Sequence, residues 1–296
     1  MIEILRTTEQ FQIFRKHIKT DLSIGLVPTM GNLHKGHLSL AKESLRANDI
    51  TVVSIFVNPM QFGPNEDFEK YPRTLGEDAQ LLKELFRSEG FPKSGQKRLV
   101  IFAPESVEEV FPSGYQTKIE VGQLTDKLCG LNRPGHFEGV TTVVYQLFNI
   151  VKPTRAYFGQ KDYQQYIVIK KMIHDLRLDV QIIPMPIKRD DNGLALSSRN
   201  QYLSENEMEL ALNLPVTLNA LKQIIKSNPW PISYELCHAE IEKKIKSNTG
   251  WDYLELLDAK TLESPQNTTH TVIIAGALKV GTTRLIDNKL AEVVYA

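Results

Sequence analysis

Short apolar runs rich in β-branched residues alternate with segments of helical periodicity through the first two-thirds of this chain, and that alternation restricts the fold more than any other feature. Ile24 to Val27, Ile50 to Val57, Leu99 to Phe102, Ala156 to Phe158 and Val180 to Ile187 read as strands. Thr8 to Lys19, Gly36 to Ala47, Gly76 to Glu89, Gly139 to Val151 and Asp162 to Leu176 place apolar residues at roughly helical spacing. Strand and helix in strict alternation imply parallel strands joined by crossover helices, a Rossmann-like doubly wound α/β sheet. After about Lys188 the pattern changes to two long polar helical segments, Ser204 to Lys226 and Ser233 to Lys246, followed by strands at Asp252 to Leu257, Thr271 to Leu278 and Thr282 to Ile286. This predicts a main domain over 1–187 and a smaller C-terminal α+β domain over 188–296 that covers the active site. Phe91 to Arg98 is polar, carries Pro and Gly, and is expected as an exposed loop.

In a doubly wound sheet, ligands sit beyond the carboxyl ends of the strands. The chemically distinctive residues fall there. After the first strand, Met30-Gly31-Asn32-Leu33-His34-Lys35-Gly36-His37 sets two histidines three residues apart around a glycine, the His-x-Gly-His pattern of an ATP site. Gly31 and Gly36 permit close backbone approach to phosphate, and the following helix would aim its free N–H groups at it. A helix cap or a metal pair is the bland alternative. Asn58 and Gln61 follow the next strand, where Pro59 stops the ladder; their amides suit a ligand with hydroxyl groups, or bond their own turn. Gly159, Gln160 and Lys161 follow a later strand, with Asp162 placed to cap the next helix and Gln165 one turn beyond Lys161. Leu196-Ser197-Ser198-Arg199 offers hydroxyls and a guanidinium that can clamp a polyphosphate, or is an ordinary surface loop. Arg133 and His136 precede an apolar helix: either could approach substrate, and His136 fits loop stabilisation better. Glu77 and Asp78 at a helix start offer carboxylates for Mg²⁺, or merely complement the helix dipole.

Composition excludes several classes. Lys+Arg and Asp+Glu balance at 35 each, so no basic field argues for nucleic acid or an anionic membrane. The two cysteines, Cys129 and Cys237, lie far apart, which argues against a disulfide framework or structural zinc and favours a reducing cytoplasm. No apolar run approaches membrane-spanning length, and the N-terminus does not read as a signal sequence.

Together, Pro28 through His37, Val57 to Phe62, Arg133 to Phe137, Tyr157 to Gln165 and Leu194 to Asn200 resemble the pantothenate synthetase (pantoate–β-alanine ligase) family, in order, from about residue 20 to 203. The resemblance implies that ATP, accompanied by Mg²⁺, activates (R)-pantoate as an acyl-adenylate with loss of diphosphate, and that β-alanine then attacks to give pantothenate and AMP. It assigns Met30, Gly31, Asn32, Leu33, His34, Lys35, Gly36, His37, Gly159, Gln160, Lys161, Asp162, Lys188, Leu196, Ser197, Ser198 and Arg199 to ATP. His37 is the family's proton donor, and His34, Lys161 and Arg199 share the catalytic role. Gln61 and Gln165 would hold pantoate, with Asn58, Met30 and Arg133 at the same pocket and Asp78 as a metal ligand. A homodimer is implied. Lys35 and Gln160 stand where an acidic residue is frequent, so altered ATP affinity rather than lost activity is expected; Lys188 stands where an apolar residue is usual. A nucleotidyltransferase of the same superfamily would share the histidine turn but not need the Asn58 and Gln61 pocket. An aminoacyl-tRNA synthetase is disfavoured by the balanced charge, and a non-catalytic nucleotide-binding module by retention of every basic site residue.

Overall fold

The structure is a computed structural model that describes residues 2–64, 66, 68–91, 97–247 and 250–295; most of the loop expected over Phe91 to Arg98 lies outside the described residues. Two compact units divide the chain. The first is Met1–Gln160 with Gln164–Pro186, and the second is Lys161–Tyr163 with Ile187–Ala296.

The first unit runs β1 (Ile2–Leu5), α1 (Thr8–Lys16), β2 (Ile24–Thr29), α2 (Lys35–Ala47), β3 (Ile50–Ile55), α3 (Leu75–Ser88), β4 (Arg98–Phe102), α4 (Leu128–Asn132), α5 (His136–Val151), β5 (Arg155–Gly159), α6 (Tyr163–Asp175) and β6 (Gln181–Met185). Its strands form one parallel sheet in the order β1-β4-β3-β2-β5-β6. Successive side chains of a strand face opposite sides, so the near-continuous apolar runs fill two cores at once. Leu26, Val52, Val100 and Phe102 pack on one face with Phe11 of α1 and Val140 and Val144 of α5. Val27, Val53, Leu99 and Ile101 pack on the other with Leu40 and Leu45 of α2 and Leu82 of α3. β1 is a strand that the apolar pattern does not announce: Glu3 interrupts it, and pairing with β4 from Ile2↔Leu99 to Leu5↔Phe102 recruits it to the sheet edge. At the opposite edge β6 accommodates Pro184, which has no N–H to offer a further neighbour.

The second unit contains α7 (Glu205–Ala211), α8 (Asn213–Ser227), α9 (Ile232–Lys246), β7 (Trp251–Asp258), β8 (Thr271–Val280) and β9 (Thr283–Glu292). The three strands form an antiparallel sheet in sequence order. The single helix expected over Ser204 to Lys226 is two, because Pro215 has no N–H for the carbonyl of Ala211 and the chain turns at Leu212. Leu214, Leu218 and Leu221 of α8 pack with Leu254 of β7 and Val272 and Ile274 of β8 in a core of its own. Among the described residues no helix is long and apolar enough to cross a membrane.

Candidate active site

In the six-stranded sheet the chain leaves β2 through α2 to reach β3 on one side, while β5 pairs with β2 on the other. The carboxyl ends of β2 and β5 therefore flank the topological switch point, where the two directions of winding part and a crevice opens. Residues 30–34 follow β2, and Gln160 follows β5.

The loop after β2 is shaped by a buried carboxylate. Gly31 and Asn32 take left-handed backbone angles, φ 85° and 50°. These turn the amides of Asn32 and Leu33 toward Asp78 of α3, whose Oδ2 accepts from Asn32 N–H at 3.0 Å and Oδ1 from Leu33 N–H at 2.7 Å. The Thr74 hydroxyl donates to Oδ2 at 3.2 Å, and Asp78 is 1% exposed. In this geometry both carboxylate oxygens receive loop amides, and the residue is sealed from solvent. Among the described residues no group of three or more His, Cys, Asp or Glu could hold a metal.

The loop delivers His34 as the N-cap of α2. Its Nδ1 accepts from Gly36 N–H at 3.1 Å, while His37 Nδ1 accepts from His34 N–H at 3.4 Å. The two rings lie 4.1 Å apart between centroids, inclined by 34°. With Nδ1 accepting from the backbone, the proton of each neutral imidazole belongs on Nε2, so the cap fixes the tautomer as well as the ring direction. Gly36 is required: a Cβ there would stand 2.7 Å from Cε1 of His34. Lys35 is exposed beside them.

Asn58 and Gln61 bracket a 3₁₀ turn, Pro59–Gln61, seated against the first turn of α5. Gly139 makes this possible, since a Cβ there would lie 2.2 Å from the Met60 carbonyl oxygen. Asn58 is 1% exposed and its amide is committed: Nδ2 donates to Gly139 O at 3.0 Å and to Gln61 Oε1 at 3.1 Å, and Oδ1 accepts from Met60 N–H. Asn58 thus orients Gln61. Gln61 Oε1 is thereby held from the Asn58 side.

Arg133 sits in a network within the first unit. Its guanidinium holds Glu66 through Nε at 2.6 Å and Nη2 at 2.5 Å, bonds His136 Nε2 through Nη1 at 3.0 Å, and reaches Gln61 O at 3.3 Å. That bidentate bond holds the Glu66 carboxyl below the ordinary glutamate range, against the opposing effect of burial. His136 donates from Nδ1 to Gln61 O at 2.8 Å, in line with the loop-stabilising reading. On α6, Gln165 is half-buried, whereas its neighbour Gln164 is sealed and ties the loop before α4: Nε2 donates to Leu124 O and Lys127 O, and Oε1 accepts from Cys129 N–H. Gly159 needs no glycine for packing, with nothing within 4 Å of a Cβ built there.

The second unit carries Lys161, Lys188 and Arg199. Lys161 sits in a 3₁₀ turn, Gln160–Asp162, with its ammonium 3.6 Å from Asp162 and its carbonyl accepting from Asn288 Nδ2 at 2.9 Å. Asp162 belongs to that turn, and α6 begins only at Tyr163. Lys188 and Leu196 face each other across a short hairpin, with Leu196 N–H donating to Lys188 O at 2.9 Å. Ser197 then caps a 3₁₀ helix, Ser198–Tyr202, by accepting from Arg199 N–H at 3.2 Å, and leaves Arg199 exposed. The hairpin is braced by a pair that the sequence does not reveal: Arg189 holds the buried Asp287 bidentately at 2.6 and 2.8 Å and also bonds Gly193 O. Burial, with Arg189 nearby, pushes the pKa of the neighbouring Lys289 down.

A parallel sheet whose switch point presents a tautomer-fixed histidine pair at a helix N-terminus, with a built amide turn on the adjoining strand, defines a nucleotide-using α/β enzyme. A family model described as Pantoate-beta-alanine ligase matches residues 3–290. The pantothenate synthetase of Caldicellulosiruptor saccharolyticus is 47% identical over 294 residues, covering 99% of this chain and 100% of that one. The pantothenate synthetase of Moorella thermoacetica is 49% identical over 92% of each chain. Among solved structures, the enzyme of Thermus thermophilus superposes with a TM-score of 0.83 at 38% identity, covering 97% of this chain and 98% of that one. A pantoate-beta-alanine ligase of Francisella tularensis, complexed with Beta-gamma ATP and β-alanine, gives 0.74 at 35% identity over 98% of each chain. The chain belongs to the pantoate–β-alanine ligase family, whose members condense pantoate with β-alanine using ATP.

Proposed function

We propose that this chain makes pantothenate through a pantoyl-adenylate bound at the carboxyl edge of the six-stranded sheet. One observation carries the reading: the α2 cap turns Nε2–H of His34 and His37 into fixed donors at the N-terminus of a helix. An oxygen of the pantoate carboxylate attacks the α-phosphorus of ATP, and the bond to the β-phosphate breaks with its electron pair leaving on diphosphate. That step needs alignment and charge stabilisation more than covalent help. His34 and His37 hydrogen-bond the phosphoryl oxygens on which charge grows, with His37 the proton donor. Lys161, Ser197, Ser198 and Arg199 neutralise the triphosphate, and Gly159 and Asp162 meet the ribose and adenine side. Gln61 and Gln165 hold pantoate. In the second step the free amine of β-alanine attacks the acyl carbon, the carbon–oxygen bond to AMP breaks, and the nitrogen loses a proton. The Francisella relative, complexed with β-alanine and an ATP compound, supports both co-substrates for this chain.

Mg²⁺ would enter on the triphosphate, and Asp78 does not fit as its ligand. A cytoplasmic homodimer is the assembly that the resemblance supports, checked by sedimentation of the purified chain. The decisive assay is exchange of diphosphate into ATP, which should require pantoate and proceed without β-alanine. His37→Ala should lower it by about 100-fold or more, as for loss of a transition-state donor. Exchange independent of pantoate would overturn the adenylate.

A further inference from the structure

We propose that Glu66, Arg133 and His136 are positioning residues that form a clamp on the backbone of Gln61 and thereby set the affinity for pantoate; this rests on the reading of Gln61 as a pantoate contact. Three features converge on one peptide. The Gln61 carbonyl accepts two hydrogen bonds, from His136 Nδ1 at 2.8 Å and Arg133 Nη2 at 3.3 Å. His136 is in turn fixed as the donor tautomer, because its Nε2 faces Arg133 Nη1 at 3.0 Å, and a guanidinium can only donate. Glu66 then immobilises Arg133 through both carboxylate oxygens. The chain of contacts runs one way, from carboxylate to guanidinium to imidazole to carbonyl, and each partner leaves the next a single orientation.

The side chain of Gln61 is held separately. Asn58 Nδ2 grips its Oε1, and the same Nδ2 is anchored to Gly139 O on α5. His136 is the first residue of α5, so backbone and side chain of Gln61 are referenced to the same turn of one helix. An amide held at both ends has little rotameric freedom left to lose when a ligand binds, which is where preorganisation gains affinity. A ligand contact on an unclamped turn would have to order that turn on binding.

The test compares steady-state kinetics of wild type, Gln61→Ala, His136→Ala, His136→Asn and the double variant Gln61→Ala/His136→Ala. His136→Ala should raise the KM for pantoate about tenfold, the scale of one net hydrogen bond, with kcat and the KM for ATP changed by less than about threefold. Asn places an amide N–H where Nδ1 stood, so His136→Asn should return the pantoate KM to within about threefold of wild type. Because the clamp acts through Gln61, the double variant should be no worse for pantoate than Gln61→Ala alone. Should His136→Ala not fold, Arg133→Lys, which cannot grip Glu66 bidentately and reach the carbonyl together, carries the same measurement. An unchanged pantoate KM in the clamp variants, an equal rise for ATP, or additivity in the double variant would each overturn the clamp while leaving the Gln61 assignment intact. An unchanged pantoate KM in Gln61→Ala itself would overturn that assignment, and the clamp with it.

Discussion

Asp78→Asn separates a carboxylate that builds the histidine loop from one that binds a metal. The substitution keeps the shape of the side chain. One oxygen can still accept from Leu33 N–H, but the other becomes an NH₂ group facing Asn32 N–H, donor against donor. A hydrogen bond to a charged group is worth about 1.5–3 kcal/mol, and a buried N–H left without an acceptor costs about 1–3 kcal/mol. Removing a buried charge offsets part of that loss, so we expect a net destabilisation of about 2 kcal/mol. At roughly 2–4 °C per kcal/mol for a unit of this size, the melting temperature should fall by about 4–8 °C. The functional consequence is larger. Gly31 and Asn32 hold left-handed angles because Asp78 holds their neighbouring amides, and a displacement of about 1 Å at the following histidines can lower a rate about 100-fold. Diphosphate exchange with saturating pantoate should drop by about 10- to 100-fold, measured beside a thermal melt of the same preparation. Wild-type melting, with a defect confined to the Mg²⁺ concentration needed for exchange, would refute the loop-building role and restore the metal ligand.

Three further outcomes follow from the geometry. Gly139→Ala drives a Cβ to 2.2 Å from a backbone carbonyl that cannot step aside, so it should destabilise the first unit by about 1–3 kcal/mol and weaken pantoate use; wild-type urea unfolding would contradict the close seating of the 59–61 turn. The Glu66 carboxyl titrates below its ordinary value, so its ion pair stabilises fully above the unfolded pKa and the contribution disappears as pH falls through the folded one. Glu66→Gln should accordingly be less stable than wild type at pH 7, with the gap closing as pH falls through the lowered folded pKa; a gap independent of pH would rule out the pair as its cause. Cys237 is fully buried and its thiol is pushed up to about 11, so a thiol reagent at neutral pH should modify only Cys129 in the folded chain and both cysteines in denaturant; rapid native reaction of two thiols would contradict that core.

The strands that build the site were legible because β2 to β5 are buried on both faces and must read as apolar runs, and the histidine turn because its glycines and helix start are local. What escaped depends on partners far along the chain. Asn58 looks like a free amide until Gly139, 81 residues away, claims it. Nothing local to Arg133 announces Glu66, 67 residues distant, in its fork. Asp78 lies at a helix start, where acids are common for the dipole alone, and nothing local announces the loop amides it receives. Arg189 and Asp287 are joined over 98 residues. The helix over 204–226 is a different kind of miss, since Pro215 was visible and its missing N–H sufficient to break the run.

The short stretch Lys161–Tyr163 has a consequence for how relatives can be recombined. It follows β5 after one residue, yet its Lys161 carbonyl accepts from Asn288 Nδ2 and its Tyr163 hydroxyl donates to the Ala259 carbonyl. A fragment ending at 187 would strip one contact from Lys161, proposed to meet the triphosphate, and one from Tyr163 two residues on. A chimera joining two homologues at that single point would pair the lysine of one parent with the cradle of the other. Clean exchange requires a double crossover that carries 161–163 together with 187–296, so the smallest transferable module here is discontinuous in sequence.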